Sequence, residues 1–271
     1  MPELPEVEVT RLGLKPLLRS KVGKVIIRNY SLRWPIHSKL PELLKNQTLL
    51  DLSRRGKYIL AKFTSGTLII HLGMSGRLCI VSTSEALNKH DHVDIQFKQN
   101  KLILRYRDPR RFGSILWTEE DPYSHKLIKN LGPEPLNDEF DAKYLFIRLK
   151  SKKQCIKNAI MNSNIVVGVG NIYASEALYD SGIRPNRISK KVSMKEVVSL
   201  VKSIKNIIKK AIVKGGSTMN DFFDVNGDNG YFQNEHKVYG REGLKCFQCN
   251  FPITNLKLGQ RSSFFCKKCQ K

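Results

Sequence analysis

Four of the six cysteines are crowded into the end of the chain as two matched pairs. Cys246 and Cys249 form one CxxC pair, and Cys266 and Cys269 form the second. Four thiolates presented from two tight turns give closed tetrahedral coordination, so the pattern predicts one structural zinc ion. Disulfides or a redox CxxC motif are the alternatives, and both are uncommon in a cytosolic chain. A module spanning 237–271 holds too little core to fold without its metal.

Net charge is the strongest global signal in the sequence. Lys and Arg number 47 against 24 Asp and Glu, which gives a formal net charge of +23. A field of that sign favours a polyanionic partner, most often a phosphate backbone. A lysine-rich proteome is the alternative explanation. However, the basic residues cluster, and within 141–161 the only acidic residue is Asp141.

The apolar runs of the chain, such as TLII and IVVGVG, are far too short to cross a membrane. The charged, proline-containing start lacks the apolar core of a signal peptide. Cys79 and Cys155 stand alone and are typical of intracellular thiols. We therefore expect a soluble, cytoplasmic protein without a membrane partner.

Short β-like runs fill the chain from Val22 to the region of Thr118. The runs KVIIRNY, KYILAKF, TLIIHL, HVDIQF and KLILRYR are separated by Gly, Asn, Asp and Ser, which predicts a sandwich or barrel. In HVDIQF the apolar residues alternate with Asp94 and Gln96, which predicts a half-buried strand.

Helical patterns flank these strands. Proline suits a first helical turn, so a helix is predicted from Pro5. The clearest helix spans 194–213, where the apolar residues form one stripe that ends before Gly215 and Gly216. The stretch NLGPEPLNDEFD is a candidate domain boundary, and the polar segment 217–236 is a predicted loop.

The opening MPELPEVE places proline second and carboxylates at Glu3, Glu6 and Glu8. Proline is small enough to allow removal of Met1, which would leave a secondary α-amine on Pro2. Such an amine is a rare nucleophile, although the pattern taken alone also fits a simple signal for methionine removal. Glu8 is expected to be an exposed helix residue.

Eleven short motifs together resemble the bacterial formamidopyrimidine-DNA glycosylases, the base-excision repair enzymes for oxidised purines. They are MPELPEVE, RRGKYIL, HLGMSGRL, KHDHVDI, DPRRFG, LGPEPL, VVGVGNIYASEAL, GGSTMNDF, GYFQ, VYGREG and QRSSFFCKKCQ. Their order and spacing cover nearly the whole chain. The related endonuclease VIII branch shares the Pro-Glu start and often the zinc module, but it is less similar at MPELPEVE and DPRRFG.

The resemblance implies an α+β multidomain fold. Residues 1–132 would form a catalytic β-sandwich with flanking helices, and 133–236 a helical DNA-binding domain with a helix–two-turn–helix motif and a lesion loop. Residues 237–271 would form the zinc finger, a ribbon-like hairpin. Double-stranded DNA with an oxidised purine or an abasic site would lie in a cleft between the two halves. The resemblance further implies a monomer with one structural zinc ion and no redox or nucleotide cofactor.

The resemblance also implies the catalytic residues. Pro2 would attack the sugar C1′, and Glu3 would act as the acid and base that opens the sugar ring. Lys57 matches the family lysine assigned to β-elimination, and Arg261 the zinc-hairpin arginine assigned to δ-elimination. Because a guanidinium is a poor proton donor, Arg261 would mainly clamp a phosphate.

Three residues match the family's insertion triad, which fills the gap left by a flipped nucleotide. Phe112 would wedge between base pairs, Arg110 would bond the widowed cytosine, and Met74 would take the vacated space. Without the resemblance, Met74 and Phe112 would be ordinary core residues, and Asp108 and Arg111 a structural ion pair.

Five further residues fall at implied DNA contacts, namely Glu6, His90, Lys152, Asn171 and Tyr173. The glycine-rich turn before Asn171 would let the backbone approach a phosphate at a helix N-terminus. Together the phosphate contacts predict strongly salt-dependent binding.

The expected function is therefore a glycosylase for 8-oxoguanine and formamidopyrimidines that forms a Schiff base on Pro2 and then cleaves by β,δ-elimination. Val9 replaces the family's usual threonine, and GIRPNR differs from its frequent GIHP. The lesion loop, 217–234, is the family's variable part, so lesion preference stays open. The rivals are an oxidised-pyrimidine glycosylase of the endonuclease VIII type and a non-catalytic zinc protein that binds damaged DNA. Retention of Pro2, Glu3 and Lys57 together argues against the second rival.

Overall fold

The computed structural model describes residues 2–99, 102–217, 225 and 230–271. The chain forms two compact units: Met1–Lys129 with Gly215–Tyr231, and Asn130–Lys214 with Phe232–Lys271. The predicted division into three domains remains a prediction. None of the helices among the described residues combines the length and the apolar character that crossing a membrane requires.

The first unit contains two helices and eight strands among its described residues. These are α1 (Leu4–Gly13), β1 (Val22–Ile27), α2 (Leu40–Leu44), β2 (Leu49–Arg55), β3 (Tyr58–Phe63), β4 (Thr67–His71), β5 (Arg77–Ser82), β6 (Asp91–Phe97), β7 (Leu102–Arg107) and β8 (Ser114–Thr118). The strands form two four-stranded sheets, in the orders β1-β6-β7-β5 and β2-β3-β4-β8. All their pairings are antiparallel. The apolar faces of both sheets contribute to one core, as the sandwich prediction requires.

Helix α1 begins as its sequence predicts. Pro5 lies in the first turn, where its missing N–H costs nothing. Glu8 is half-buried rather than exposed, because its carboxylate accepts bonds from Arg11 (2.7 Å) and Arg54 (2.9 Å). Burial opposes ionisation of Glu8, but the bonds from the two guanidinium groups hold its pKa below the ordinary value. The predicted exposure of Glu8 was therefore wrong.

The alternating pattern of β6 does not mark a solvent face. Asp94 is only 1% exposed. Its carboxylate accepts bonds from Arg105 at 2.9 and 3.0 Å and from Arg28 at 2.7 Å. The predicted half-buried strand was therefore wrong, because a charge that is fully hydrogen-bonded can lie inside a covered sheet.

Removing this buried charge is expected to destabilise the first unit. The variant Asp94→Asn leaves Arg105 buried with less compensation, and we expect the free energy of unfolding to fall by roughly 2–4 kcal/mol. Urea unfolding measures the change. The exposed residue Glu120 supplies the control, since Glu120→Gln is expected to stay within about 0.5 kcal/mol of wild type. A loss for Asp94→Asn no larger than that of the control would contradict the expectation.

The second unit is helical and ends in a hairpin. Its elements are α3 (Ala142–Lys150), α4 (Ile156–Ile160), α5 (Asn171–Asp180), α6 (Met194–Val213), β9 (Ile253–Leu258) and β10 (Arg261–Cys266). Helix α6 spans the range that its apolar stripe predicted. It begins at a capping box formed by Ser193 and Glu196.

A buried lysine joins α4 to the hairpin. Lys157 is 1% exposed, and its ammonium donates to the Ser262 carbonyl (2.9 Å) and the Ser263 hydroxyl (2.8 Å). Lys157 belongs to the basic cluster that the sequence suggested for phosphate binding. In the structure it is instead a fixed internal contact of the second unit.

Candidate active site and nucleic-acid contacts

The start of α1 is buried and anchored by one carboxylate. Pro2 and Glu3 are both buried immediately before the helix. Glu6 accepts the Glu3 main-chain N–H at 2.8 Å with one oxygen and the Ser217 N–H at 2.8 Å with the other. Gly216 has a φ of +80°, and a Cβ there would lie 2.9 Å from the same Glu6 carboxylate. Glu6 thus positions the residue next to Pro2, while its proposed contact with DNA remains a prediction.

Lys57 lies in the tight turn between β2 and β3 and is half-buried. The turn is connected to α1 through one arginine. Arg54 donates to the Glu8 carboxylate at 2.9 Å and to the Gly56 carbonyl at 2.9 Å. The ammonium of Lys57 is therefore carried on a turn whose backbone is held to the helix that follows Pro2.

Met74 and Phe112 stand on two neighbouring loops, between β4 and β5 and between β7 and β8. Their side chains are 37% and 46% exposed, so neither is the ordinary core residue of the alternative reading. Gly73 has a φ of +63°, and a Cβ there would lie 2.4 Å from the Phe112 carbonyl carbon. The guanidinium of Arg110 lies 4.8 Å from the centre of the Phe112 ring. The structure therefore brings the loops of the predicted insertion residues together, with Met74 and Phe112 both partly exposed.

His90 is half-buried at the end of the connection into β6. Its carbonyl accepts the Asp108 N–H at 3.1 Å, so it adjoins the loop that carries Arg110 and Phe112. His92 is the second residue of β6, and its Nε2 lies 2.8 Å from the Asp108 carbonyl. The Asp108 carbonyl also accepts the Arg111 main-chain N–H, at 3.2 Å.

His71 is a site residue that sequence reasoning missed, although it stands inside the quoted HLGMSGRL motif. Its Nδ1 accepts the Gly73 N–H at 2.9 Å and so shapes the turn before Met74. Its ring lies 4.8 Å from that of Tyr58. Burial, reinforced by the nearby charges of Lys57 and then Arg33, lowers the pKa of His71 to about 4. The imidazole is therefore a neutral acceptor at physiological pH.

This low pKa predicts how stability depends on pH. The unfolded chain protonates His71 near its ordinary pKa of 6.5, and the folded chain near 4. The unfolded state then binds more protons, so the free energy of unfolding falls as the pH drops through that window. Between about pH 7 and about pH 5, wild type is expected to lose about 2 kcal/mol more than His71→Asn, which keeps an acceptor but does not titrate. Urea unfolding at the two pH values measures this difference.

A matched control replaces a solvent-exposed histidine. His37 is exposed in the structure, so His37→Asn is expected to keep the wild-type loss of stability between the two pH values. An equal loss in wild type and in His71→Asn would show that the buried imidazole does not cause the effect.

In the second unit, Asn171 begins α5 directly after Gly170, and its side-chain amide donates to the Tyr239 hydroxyl at 3.4 Å. Tyr173 is buried, with its ring 5.7 Å from that of Phe232. The structure thus presents Asn171 at the helix start and packs Tyr173 beneath it. Direct DNA contact by either side chain stays a prediction.

The residues next to Asn171 are held by Glu176, which sequence reasoning also missed. Its buried carboxylate accepts three main-chain N–H groups, from Lys237 (2.9 Å), Val238 (3.0 Å) and Tyr239 (2.8 Å). Burial raises the pKa of Glu176 above its ordinary value, against the lowering effect of these bonds. The only sequence signal was the VYGREG motif, which contains two of the three donors.

The four predicted cysteines do converge. All their sulfur atoms lie within 4.8 Å of one another, with Cys246 and Cys269 3.8 Å apart and Cys249 and Cys266 3.4 Å apart. The Tyr179 hydroxyl lies 3.1 Å from the Cys246 sulfur. The cluster can hold a metal ion, as predicted.

Two cationic candidates also lie in the second unit. Arg261 is the exposed first residue of β10, directly after a turn in which Gly259 and Gln260 have positive φ angles of +52° and +64°. Lys152 is half-buried just beyond α3, and its carbonyl accepts the Lys190 N–H at 3.2 Å. Met1 and most of the lesion loop 217–234 lie outside the described residues.

Comparison with known proteins defines the class of this fold and site. Two family models match: the N-terminal domain of formamidopyrimidine-DNA glycosylase over residues 1–115, and its H2TH domain over 131–222. Together they cover most of the chain, and both describe parts of one class of DNA-repair glycosylase.

Relatives and solved structures narrow the class further. A formamidopyrimidine-DNA glycosylase of Saccharophagus degradans is 51% identical over the full length of both chains. One of Methylobacillus flagellatus is 48% identical, over 100% of this chain and 97% of the relative. The Lactococcus lactis Fpg bound to N7-benzyl-Fapy-dG DNA has a TM-score of 0.92 at 32% identity, with full coverage of both chains. The Thermus thermophilus MutM protein has a TM-score of 0.89 at 32% identity, covering 99% and 98%.

The chain belongs to the formamidopyrimidine-DNA glycosylase family. The predicted family, the fold class and the enzyme class, a DNA glycosylase, are confirmed. The roles of the individual site residues are not part of that confirmation and remain predictions.

Proposed function

We propose that the protein removes 8-oxoguanine and formamidopyrimidines from duplex DNA and then cleaves the resulting apurinic site. Full-length membership of the family carries this proposal. Solved Lactococcus lactis relatives are bound to DNA that contains Fapy-dG in one case and an abasic site in another. Within this chain, the proposal is supported by Pro2 and Glu3, which lie side by side and buried at the start of α1.

The first step is attack by the neutral α-amine of Pro2 after removal of Met1. An α-amine has a pKa of roughly 8, so a useful fraction is unprotonated near neutrality. The nitrogen forms a bond to C1′, the bond from C1′ to the base breaks, and the base leaves with the electron pair. The base takes up a proton and the nitrogen loses one. O4′ is then protonated as the ring opens, which leaves a C1′=N⁺ iminium, and Glu3 carries these protons.

The iminium drives strand cleavage because it accepts electrons. Loss of the C2′ proton expels the 3′ phosphate, loss of the C4′ proton then expels the 5′ phosphate, and water hydrolyses the iminium to release Pro2. Lys57 acts at the β-elimination step, near the target phosphate. Arg261, a permanent cation, clamps a phosphate and stabilises its charge as it leaves.

The damaged nucleotide reaches this chemistry only when it leaves the helix. Phe112 is the wedge between base pairs, Arg110 bonds the widowed base, and Met74 fills the vacated space. Their exposure on adjacent loops supports this assignment. Glu6, His90, Lys152, Asn171 and Tyr173 are proposed to hold or orient DNA.

Borohydride trapping tests the chemistry directly, since borohydride reduces the iminium to a stable amine. With a duplex that carries 8-oxoguanine opposite cytosine, we expect a covalent adduct. Peptide mapping should locate this adduct on Pro2. Glu3→Gln is expected to slow excision by about 100- to 10,000-fold, because it removes a general acid–base group. The control Pro5→Ala changes another proline of the same helix start and should leave both the adduct and the rate intact.

Two outcomes of the trapping experiment test the nucleophile and the non-catalytic rival. A comparison of excision rates on two lesions tests the other rival. An adduct on a lysine would reject Pro2 as the nucleophile. Failure to trap either a lesion or an abasic duplex, with binding of damaged DNA retained, would favour the non-catalytic zinc protein. Faster excision of thymine glycol than of 8-oxoguanine would favour the oxidised-pyrimidine reading. The comparison of the two lesions is motivated by a Lactococcus lactis relative that was solved in complex with DNA containing an oxidised pyrimidine.

The four-cysteine cluster is proposed to hold one structural Zn²⁺. Four thiolates fill the tetrahedral shell of zinc, so the metal serves folding of the hairpin and offers no open position to substrate. The contacts of Lys157 with the hairpin, at Ser262 and Ser263, tie this module to α4. A cytoplasmic location and a monomeric state remain predictions.

Metal analysis tests the zinc proposal. The purified protein is expected to contain about one zinc ion per chain, and Cys269→Ser to lose most of it because a closed site needs all four thiolates. Cys155→Ser is the matched control, because Cys155 lies outside the cluster, and it should keep the metal. Equal zinc content in both variants would reject the assigned ligands, whatever the activity of either protein.

A further inference from the structure

Asp108 is a buried carboxylate in the loop that follows β7, and it accepts four hydrogen bonds. It is fully buried, and each of its oxygens accepts two bonds. Oδ1 accepts from the Ser75 hydroxyl (2.7 Å) and the Arg110 N–H (3.3 Å). Oδ2 accepts from the Tyr106 hydroxyl (3.0 Å) and the Gly113 N–H (2.9 Å). One side chain therefore joins the loop that holds Met74 to both ends of the segment 110–113.

The close packing around Asp108 depends on a glycine. A Cβ on Gly113 would lie 1.9 Å from the Tyr106 hydroxyl, so any larger residue would displace the tyrosine from the carboxylate. Burial raises the pKa of Tyr106, and the charge of Asp108 adds to the effect. Tyr106 therefore keeps its proton and stays a donor to Asp108.

We propose that Asp108 is a positioning residue for base flipping, which locks the Met74 loop and the Arg110–Phe112 loop into one rigid wedge. The inference rests on the proposed function of those three side chains. Insertion must offset the free-energy cost of unstacking a base step. Loops that are ordered before binding pay a smaller free-energy cost of ordering when they insert into DNA. Asp108 acts on the reaction only through the side chains that it positions.

An amide cannot replace this carboxylate. Each oxygen of Asp108 faces one main-chain N–H, of Arg110 or of Gly113, and these donors cannot rotate away. In either orientation, the NH₂ group of an asparagine would oppose one of them: the Gly113 N–H would lose the bond to this side chain, or the Arg110 N–H would keep only the Ser75 hydroxyl at 3.2 Å. Asp108→Asn should therefore loosen one of the two loops while it keeps the size of the side chain.

The test compares two DNA substrates under single-turnover conditions, well below the unfolding temperature. One is the 8-oxoguanine duplex, which needs the wedge; the other is a single-stranded abasic oligonucleotide, which has no base pair to open. For Asp108→Asn we expect excision from the duplex to slow by about 10- to 100-fold, the cost of a misplaced group. Borohydride trapping with the single strand should stay within about twofold of wild type.

Asp94→Asn is the matched control, since it also replaces a buried carboxylate of the first unit, but one that lies in strand β6 and bonds Arg28 and Arg105. It should lower stability without changing the ratio of the two rates. Tyr106→Phe removes one donor to Asp108 and leaves the backbone intact, so it should shift the ratio in the same direction by a smaller factor. If Asp108→Asn fails to fold, the ratio of the two rates measured for Tyr106→Phe tests the inference instead.

A fluorescent base separates positioning from general damage. With 2-aminopurine next to the lesion, wild type should raise the fluorescence as the stack opens, and Asp108→Asn should show a smaller or slower rise. The inference would be overturned by a wild-type fluorescence rise in Asp108→Asn or by an equal loss of rate on both substrates. It would also be overturned if Asp94→Asn changed the ratio of the two rates as much as Asp108→Asn does. Wild-type protein that traps neither substrate would instead overturn the proposed function itself.

Discussion

Hydrogen bonds from main-chain N–H groups to buried carboxylates decide where the functional loops of this protein stand. Such donors lie outside the sheets and helices, and leaving them unpaired in the interior would be costly. A carboxylate can accept several donors at once, so one side chain can fix several segments. Asp108 does this for the insertion loops, Glu6 for the residue beside the proposed nucleophile, and Glu176 for the segment next to Asn171. A single substitution can therefore remove one support from more than one segment.

The positive charge of the chain serves two purposes that the sequence alone does not separate. Two of the cations make internal contacts: Lys157 donates to the hairpin at Ser263, and Arg105 donates to Asp94. Arg261 and Lys153 are exposed and stay available to a phosphate. The total of 47 Lys and Arg therefore overstates the number of cations that a phosphate can reach. The salt dependence of binding should follow the exposed cations that touch phosphate rather than the total.

Periodicity predicted the long elements and failed where charge is buried. Helix α6 has an unbroken stripe, and its bounds were predicted to the residue. The strands β2, β5 and β8 were not named from periodicity, and in β2 Asp51 and Arg54 interrupt the apolar positions. The four cysteines follow from spacing alone, whereas the other site residues were reached by resemblance. The bond from Ser217 to Glu6 spans 211 positions, and no local window of sequence can show it.

The opening motif shows why a run of similar residues need not share one role. Glu3, Glu6 and Glu8 lie within one and a half helical turns, yet they face different surroundings. Glu6 bonds main-chain donors, and Glu8 pairs with Arg11 and Arg54. Because Arg54 also holds the turn before Lys57, the pair links the helix behind Pro2 to the lysine proposed for β-elimination. Glu3 also has a structural part, since its carboxylate and that of Glu6 form the capping box that starts the helix beside Pro2.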